Sequence, residues 1–70
     1  MVRLNGVEYE YRPGMELAAL VDEHNLTNPK VRFDDCIVVI NGAAVPSAQA
    51  QEWKLSDKEI IYIVPKLDGG

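Results

Sequence analysis

Val2-Arg3-Leu4-Asn5-Gly6-Val7-Glu8-Tyr9-Glu10-Tyr11 is the stretch that decides the fold. Apolar and polar residues alternate on both sides of Asn5-Gly6. Both residues of an Asn-Gly pair tolerate positive φ, so the pair favours a type I′ turn between antiparallel strands. The reading is strand, tight turn, strand, with Val7, Tyr9 and Tyr11 on one face. Pro13-Gly14 then breaks the second strand.

Outward from that hairpin, Leu17, Leu20 and Val21 recur at i, i+3 and i+4, with the helix formers Ala18 and Ala19 between them. Glu16 near the start and His24 near the end suit the helix dipole, and Asn25 and Pro29 close the segment. One helix is predicted over Met15–His24. Cys36-Ile37-Val38-Val39-Ile40 is apolar without alternation and predicts a central strand covered on both faces. Asn41-Gly42 is a second turn signal. Val45-Pro46 allows only a short edge piece, because proline cannot donate to a ladder. Ser47 to Lys54 reads as irregular or as one helical turn, anchored by Trp53. Glu59 to Val64 is rich in β-branched and aromatic residues and predicts the last strand, stopped by Pro65. The order is β-β-α-β-(short β)-β. This is an α+β class, with a mixed sheet of four to five strands and one main helix across one face. The first and last strands are expected together at the centre, with the tail leaving from the sheet edge.

Seventy residues make one domain. A chain this short buries roughly 60% of the surface its unfolded form exposes, which allows one small core and no deep cleft. Apolar residues at 47% and charged residues at 26% are ordinary globular values. The net charge of −4 argues against a nucleic-acid or anionic-membrane surface and fits a basic protein partner. A single cysteine, Cys36, makes no internal disulfide, and neither a secretion signal nor a membrane span is visible, so the cytoplasm is the expected compartment. The expected boundaries are a domain over residues 1–65 and a flexible C-terminal tail over residues 66–70.

Several side chains invite chemistry and read more simply as structure. His24 continues the Leu17-Leu20-Val21 stripe and is expected to pack against the sheet; no set of metal ligands lies near it in sequence. Cys36 has apolar strand neighbours and nothing to lower its pKa. Asp34-Asp35 reads as a solvated turn, and Trp53 as a lid on the core. There is no glycine-rich phosphate loop. The terminal Gly69-Gly70 leaves two readings open. It is a frayed chain end, or it is a segment slim enough to thread a narrow slot and present its own carboxylate for reaction.

The order and spacing of these pieces resemble the ubiquitin-like sulfur carriers of the β-grasp fold, the ThiS/MoaD-like family, and within it the thiamin type. The resemblance spans nearly the whole chain. It lies in Leu4-Asn5-Gly6 and its hairpin, Pro13-Gly14 before a Leu-rich helix, Val39-Ile40-Asn41-Gly42 followed by Val45-Pro46, Leu55-x-Asp57 before the last strand, and Gly69-Gly70. Three positions depart from the family pattern. Ser47 stands where a basic residue is common. Asp57-Lys58-Glu59 replaces Asp-Gly-Asp. Asp68 precedes the diglycine where a small residue is usual.

The resemblance implies a chemistry. The Gly70 carboxylate would be adenylated by ATP on a ThiF- or MoeB-like adenylating enzyme. Sulfide or a persulfide donor would convert it to a thiocarboxylate, which then donates sulfur. The protein would be a cosubstrate and not an enzyme, with no bound cofactor and no metal, because ATP belongs to the partner. Gly69, Asp68 and Leu67 would thread the partner. The acceptor would be a thiazole synthase in thiamin biosynthesis or, alternatively, the large subunit of molybdopterin synthase. A protein modifier joined through Gly70 and a plain interaction module remain the competing classes. The match to ubiquitin-like proteins also sets the phase of the last strand. Ile61 and Ile63 are expected toward the helix. Tyr62 and Val64 are expected on the open face, in an exposed apolar patch where partners bind. Lys58, standing where relatives have glycine, is expected at positive φ.

Overall fold

The computed structural model describes residues 1–66. The opening hairpin forms as its alternation requires. Strand β1 (Val2–Leu4) pairs antiparallel with β2 (Val7–Tyr9), and Asn5 and Gly6 take φ of 50° and 84°, the left-handed pair a type I′ turn needs. The second Asn-Gly repeats the geometry. Asn41 and Gly42, at φ 51° and 84°, join β3 (Cys36–Ile40) to the short edge strand β4 (Ala43–Val45). The last strand, β5 (Ile60–Pro65), runs antiparallel to β3 and parallel to β1. The sheet order is β2-β1-β5-β3-β4, a mixed five-stranded sheet, and the fold is α+β of the ubiquitin-like β-grasp type.

Two expectations about the sheet are corrected by this order. Cys36–Ile40 is covered on one face only: Cys36, Val38 and Ile40 are buried, while Ile37 is exposed and Val39 half-buried. An unbroken apolar run is the usual mark of a strand covered twice. Here it instead supplies one face to the core and one to the surface. The central strand is β5, so the chain reaches Lys66 from the middle of the sheet and not from its edge.

Helix α1 (Leu17–His24) crosses the other face and buries Leu17, Leu20, Val21 and His24, the i, i+3, i+4, i+7 stripe. It begins two residues later than the periodicity predicts. Met15 and Glu16 are held extended instead: Leu17 N donates to Trp53 O at 3.0 Å and Leu55 N donates to Met15 O at 2.8 Å. Glu16 and Lys54 thus form a bridge, and the extended Glu16 backbone ends the helix there. A four-residue helix, α2 (Ser47–Ala50), follows β4 and leads to Trp53, which packs half-buried against the core.

Beneath α1 the core joins Val2, Leu4, Val38, Ile40, Ile61 and Ile63 from the sheet to Leu17, Leu20 and Val21. The polar groups it takes in are paired. His24 is buried, and its Nδ1 lies 2.6 Å from the Tyr9 hydroxyl. Burial, and then the nearby Glu23 carboxylate, pushes the Tyr9 phenol above its ordinary pKa. The buried Glu59 carboxylate accepts from Ser56 N at 2.7 Å and from Trp53 Nε1 at 3.3 Å. Asp34 and Asp35 lie in an exposed turn, where Arg32 pairs with both at 2.9 and 3.8 Å.

The turn before β5 carries the one departure from the family pattern with a visible backbone consequence. Lys58 has φ 68°, as expected of a residue at a glycine position, and its N–H donates to Met1 O at 2.9 Å. The Met1 ammonium donates to Asp57 Oδ1 at 2.6 Å and holds that carboxyl below the usual range.

Candidate functional site

Strand β5 is the element that carries the chain toward its C-terminal glycines, so the site is built around it. Its side chains alternate. Ile61 and Ile63 are 0% and 1% exposed under α1, whereas Tyr62 and Val64 are 46% and 42% exposed on the opposite face. The expected phase is the observed one. The antiparallel register sets Val39 opposite Tyr62 and Ile37 opposite Val64, so those four side chains share the open face. Ile60, also exposed, extends the row along β5, and Ala44 lies beyond Val39 on β4. The result is an apolar patch on an exposed sheet face, bounded on the β1–β2 side by the Arg3–Glu8 ion pair at 2.8 Å. A patch of this kind on a small domain is a docking surface in the general case.

Of the five branched or aromatic residues in this patch, sequence reasoning located two and missed three. Ile60 shares the parity of Tyr62 and Val64, so alternation alone would have found it. Ile37 and Val39 were hidden by the unbroken apolar run of β3. Only the register against β5 puts them on the open side.

The end of β5 is held on both flanks. On the β3 side the ladder runs to Cys36 opposite Pro65, and Lys66 N donates to Asp35 O at 3.1 Å. On the β1 side, Arg3 N donates to Glu59 O at 3.0 Å and Asn5 N to Ile61 O at 2.9 Å, where β1 ends. The next rung is made by a side chain. Asn5 Nδ2 donates to the Ile63 carbonyl at 3.0 Å, and Ile63 N donates to Asn5 Oδ1 at 2.8 Å. The backbone groups that face β1 therefore follow the odd residues 59, 61 and 63, and the following odd position is Pro65. Its missing N–H faces the side on which β1 has already ended, so proline there leaves no ladder bond unmade.

Two shallow grooves flank this exit. One, about 350 Å³, is lined by Asn5, His24, Lys30, Val64 and Pro65. The other, about 280 Å³, is lined by Cys36, Ile37, Ala44, Pro46 and Lys66. The buried Cys36 lies across from Pro65 at the base of the second groove. Leu67, Asp68, Gly69 and Gly70, the residues for which the resemblance implies threading and attachment, lie outside the described residues, as does the expected flexibility of the tail beyond Lys66. Among the described residues no helix is long and apolar enough to cross a membrane.

No curated protein matches the chain significantly. The model of the ThiS family matches residues 2–70, which takes in the hairpin, the helix, the sheet and the terminal glycines. With that match over nearly its whole length and a β-grasp sheet beneath it, the chain belongs to the ThiS family, small sulfur carriers that work with an adenylating enzyme and a sulfur-transfer partner.

Proposed function

We propose that the Gly70 carboxylate is the reacting group, that it carries sulfur as a thiocarboxylate, and that it delivers this sulfur to thiazole formation in thiamin biosynthesis. One observation carries the reading: the family match runs through residue 70 and so includes Gly69-Gly70. A carboxylate is a poor acyl electrophile and has to be activated. A Gly70 oxygen attacks the α-phosphorus of ATP, the bond to pyrophosphate breaks, and an acyl-adenylate forms. Hydrosulfide then attacks the acyl carbon and AMP leaves. If the donor is a persulfide, an acyl disulfide forms first and a thiol reduces it. The ThiF-like partner supplies ATP, magnesium and the donors that hold the phosphates. The carrier supplies the aimed carboxylate and no catalytic side chain, which makes it a cosubstrate.

The tail residues divide the remaining work. Gly69 and Gly70 pass a slot too narrow for a Cβ. Leu67 anchors in an apolar pocket of the partner, and Asp68 meets a basic residue of its groove. The open-face patch around Tyr62 and Val64 supplies the wider contact. We place this work in the cytoplasm, where ATP is available and a lone Cys36 stays reduced.

Intact mass after incubation with ATP, the adenylating enzyme and a sulfur donor tests the chemistry. The expected gain is the difference between one sulfur and one oxygen atom. Pyrophosphate exchange into ATP tests the site. Deleting Gly69-Gly70 is expected to leave the fold unchanged and remove all exchange above the enzyme-alone background. Normal exchange by the truncated chain overturns the reading. Transfer of the sulfur to a thiazole synthase supports the thiamin assignment, whereas transfer to a molybdopterin synthase large subunit replaces it.

A further inference from the structure

We infer that Asn5 is a positioning residue for the reacting tail: its carboxamide completes the β1–β5 ladder at Ile63 and fixes the direction in which β5 leaves the sheet. The inference rests on the proposal that Gly70 is adenylated. It begins from a mismatch in strand length. β1 has three residues and β5 has six, so β1 runs out while β5 still has a rung to fill. The Ile63 N–H and C=O would face an empty flank. Asn5 turns its side chain along that flank and meets both groups, at 2.8 and 3.0 Å, as the next residue of a longer β1 would.

Three demands meet at this position. The backbone sits at φ 50°, which excludes most residues with a Cβ. The Ile63 N–H needs an acceptor, and the Ile63 carbonyl needs a donor. Asparagine satisfies all three. Aspartate tolerates the turn and accepts, but its second oxygen would face the Ile63 carbonyl. Glycine tolerates the turn and makes neither bond. An Asn-Gly pair chosen only for its turn would show no such grip. The same bidentate use of a carboxamide recurs at Asn25, which donates to Val31 O at 3.0 Å and accepts from Val31 N at 2.9 Å. The device is thus a repeated one in this chain, and at Asn5 it acts on the strand that bears the tail.

The consequence concerns aim. Ile63 is the last residue of β5 held from the β1 side. Without Asn5 the exit is held only from the β3 side, through Val64 and Lys66, and it can swing about that single ladder. The adenylating enzyme would then select a fraction of exit directions, and its apparent affinity for the carrier would fall by that fraction. Once bound, the tail is aligned by the enzyme, so the maximal rate should hold.

Asn41 is the internal control. It has the same φ region and the same following glycine, and its Oδ1 accepts from Ile60 N at 3.0 Å, at the opposite end of β5. Full-length wild type, Asn5→Gly, Asn5→Asp and Asn41→Gly would be compared by thermal unfolding, by hydrogen exchange at the Ile63 amide, and by pyrophosphate exchange as a function of carrier concentration. Asn5→Gly should unprotect the Ile63 amide and raise the half-saturating carrier concentration about tenfold, with maximal rate within about twofold. Asn5→Asp should fall between it and wild type. Asn41→Gly should cost stability and leave half-saturation unchanged. If folded Asn5→Gly or Asn5→Asp half-saturates like wild type, or Asn41→Gly shifts as far, Asn5 is structural only and the inference fails. Should Asn5→Gly not fold, Asn5→Asp decides alone. Absence of exchange with wild type sinks the Gly70 reading itself, which is a different result from equal curves.

Discussion

The two faces of β5 have nearly the same apolar content and opposite surroundings. Ile61 and Ile63 lie under α1 with Leu17, Leu20 and Val21, and they lose almost all contact with solvent. Ile60, Tyr62 and Val64 are just as apolar and remain between 42% and 46% exposed. Composition does not separate the two sets; only the presence of a covering helix does. The buried set contributes to stability. The open set gains little from folding and leaves its apolar area exposed, next to the end of the strand that leads to the tail. One six-residue strand therefore builds the core with one side and, in the function proposed above, offers a dock with the other.

The hardest test of that division is Ile61→Ala. The side chain is fully buried, and its loss leaves a cavity in the smallest kind of core. A cost of about 2–5 kcal/mol is expected, enough to bring a 70-residue domain to the edge of folding. Chemical denaturation measures it. The chain that stays folded at low temperature should still bind the adenylating enzyme with wild-type affinity. If Ile61→Ala weakens binding in proportion to its loss of stability while remaining folded, the two faces are not separable.

Tyr62→Ala is the converse. Tyr62 packs beside Val39 across the strands and is half exposed, so truncation should cost about 1 kcal/mol of stability or less. At the centre of a docking patch the same truncation should weaken affinity by about tenfold or more, an effect of about 1.4 kcal/mol or above. Titration calorimetry against the adenylating enzyme gives the affinity and a thermal melt gives the stability. An unchanged dissociation constant would leave Tyr62 as surface only.

How much of this could be read beforehand divides along a physical line. Local signals were legible: both Asn-Gly turns, the helical stripe and the alternation of β5 follow from short-range preferences, whereas the phase of that alternation and the positive φ of Lys58 came from the family resemblance. Long-range pairing was not. The expectation that β3 is covered on both faces failed because an apolar run says a strand is valued on both sides without saying by what. Here one of those sides faces outward, and only the β3–β5 register shows it. The start of α1 slipped for the same reason, since Met15 and Glu16 are claimed by Lys54 and Leu55, about 40 residues away in sequence. Asn5 and Asn41 were recognised as turn formers, but their grip on β5 was not, because nothing local to a turn reveals which strand lies beside it. Of the proposed site, the sequence and its family resemblance supplied Tyr62, Val64 and the terminal glycines, and the structure set Ile37, Val39 and Ile60 beside Tyr62 and Val64 on the open face.

The smallest expected effect changes stability without altering a side chain of either face. Lys58 holds φ 68° in the turn before β5, where a Cβ crowds the following carbonyl at a cost of about 1–2 kcal/mol. Replacing it with glycine removes that strain. The gain is offset by glycine's greater freedom in the unfolded chain, worth roughly 0.5–1 kcal/mol. The difference favours Lys58→Gly by roughly 0.5–1 kcal/mol, which for a domain of this size raises the melting temperature by about 2–8 °C. The Met1 carbonyl keeps its bond from residue 58, because that bond uses the backbone N–H. Since the side chain lies in the turn ahead of the patch, affinity for the adenylating enzyme should not move. A melt and a binding isotherm on the one variant check both halves. A rise in stability with unchanged affinity shows that docking depends on the open face and not on how tightly the sheet is held. Affinity that rises with stability would mean that the patch is fully formed in only part of the population, and that the contrast between the two faces of β5 is one of folding and not of function.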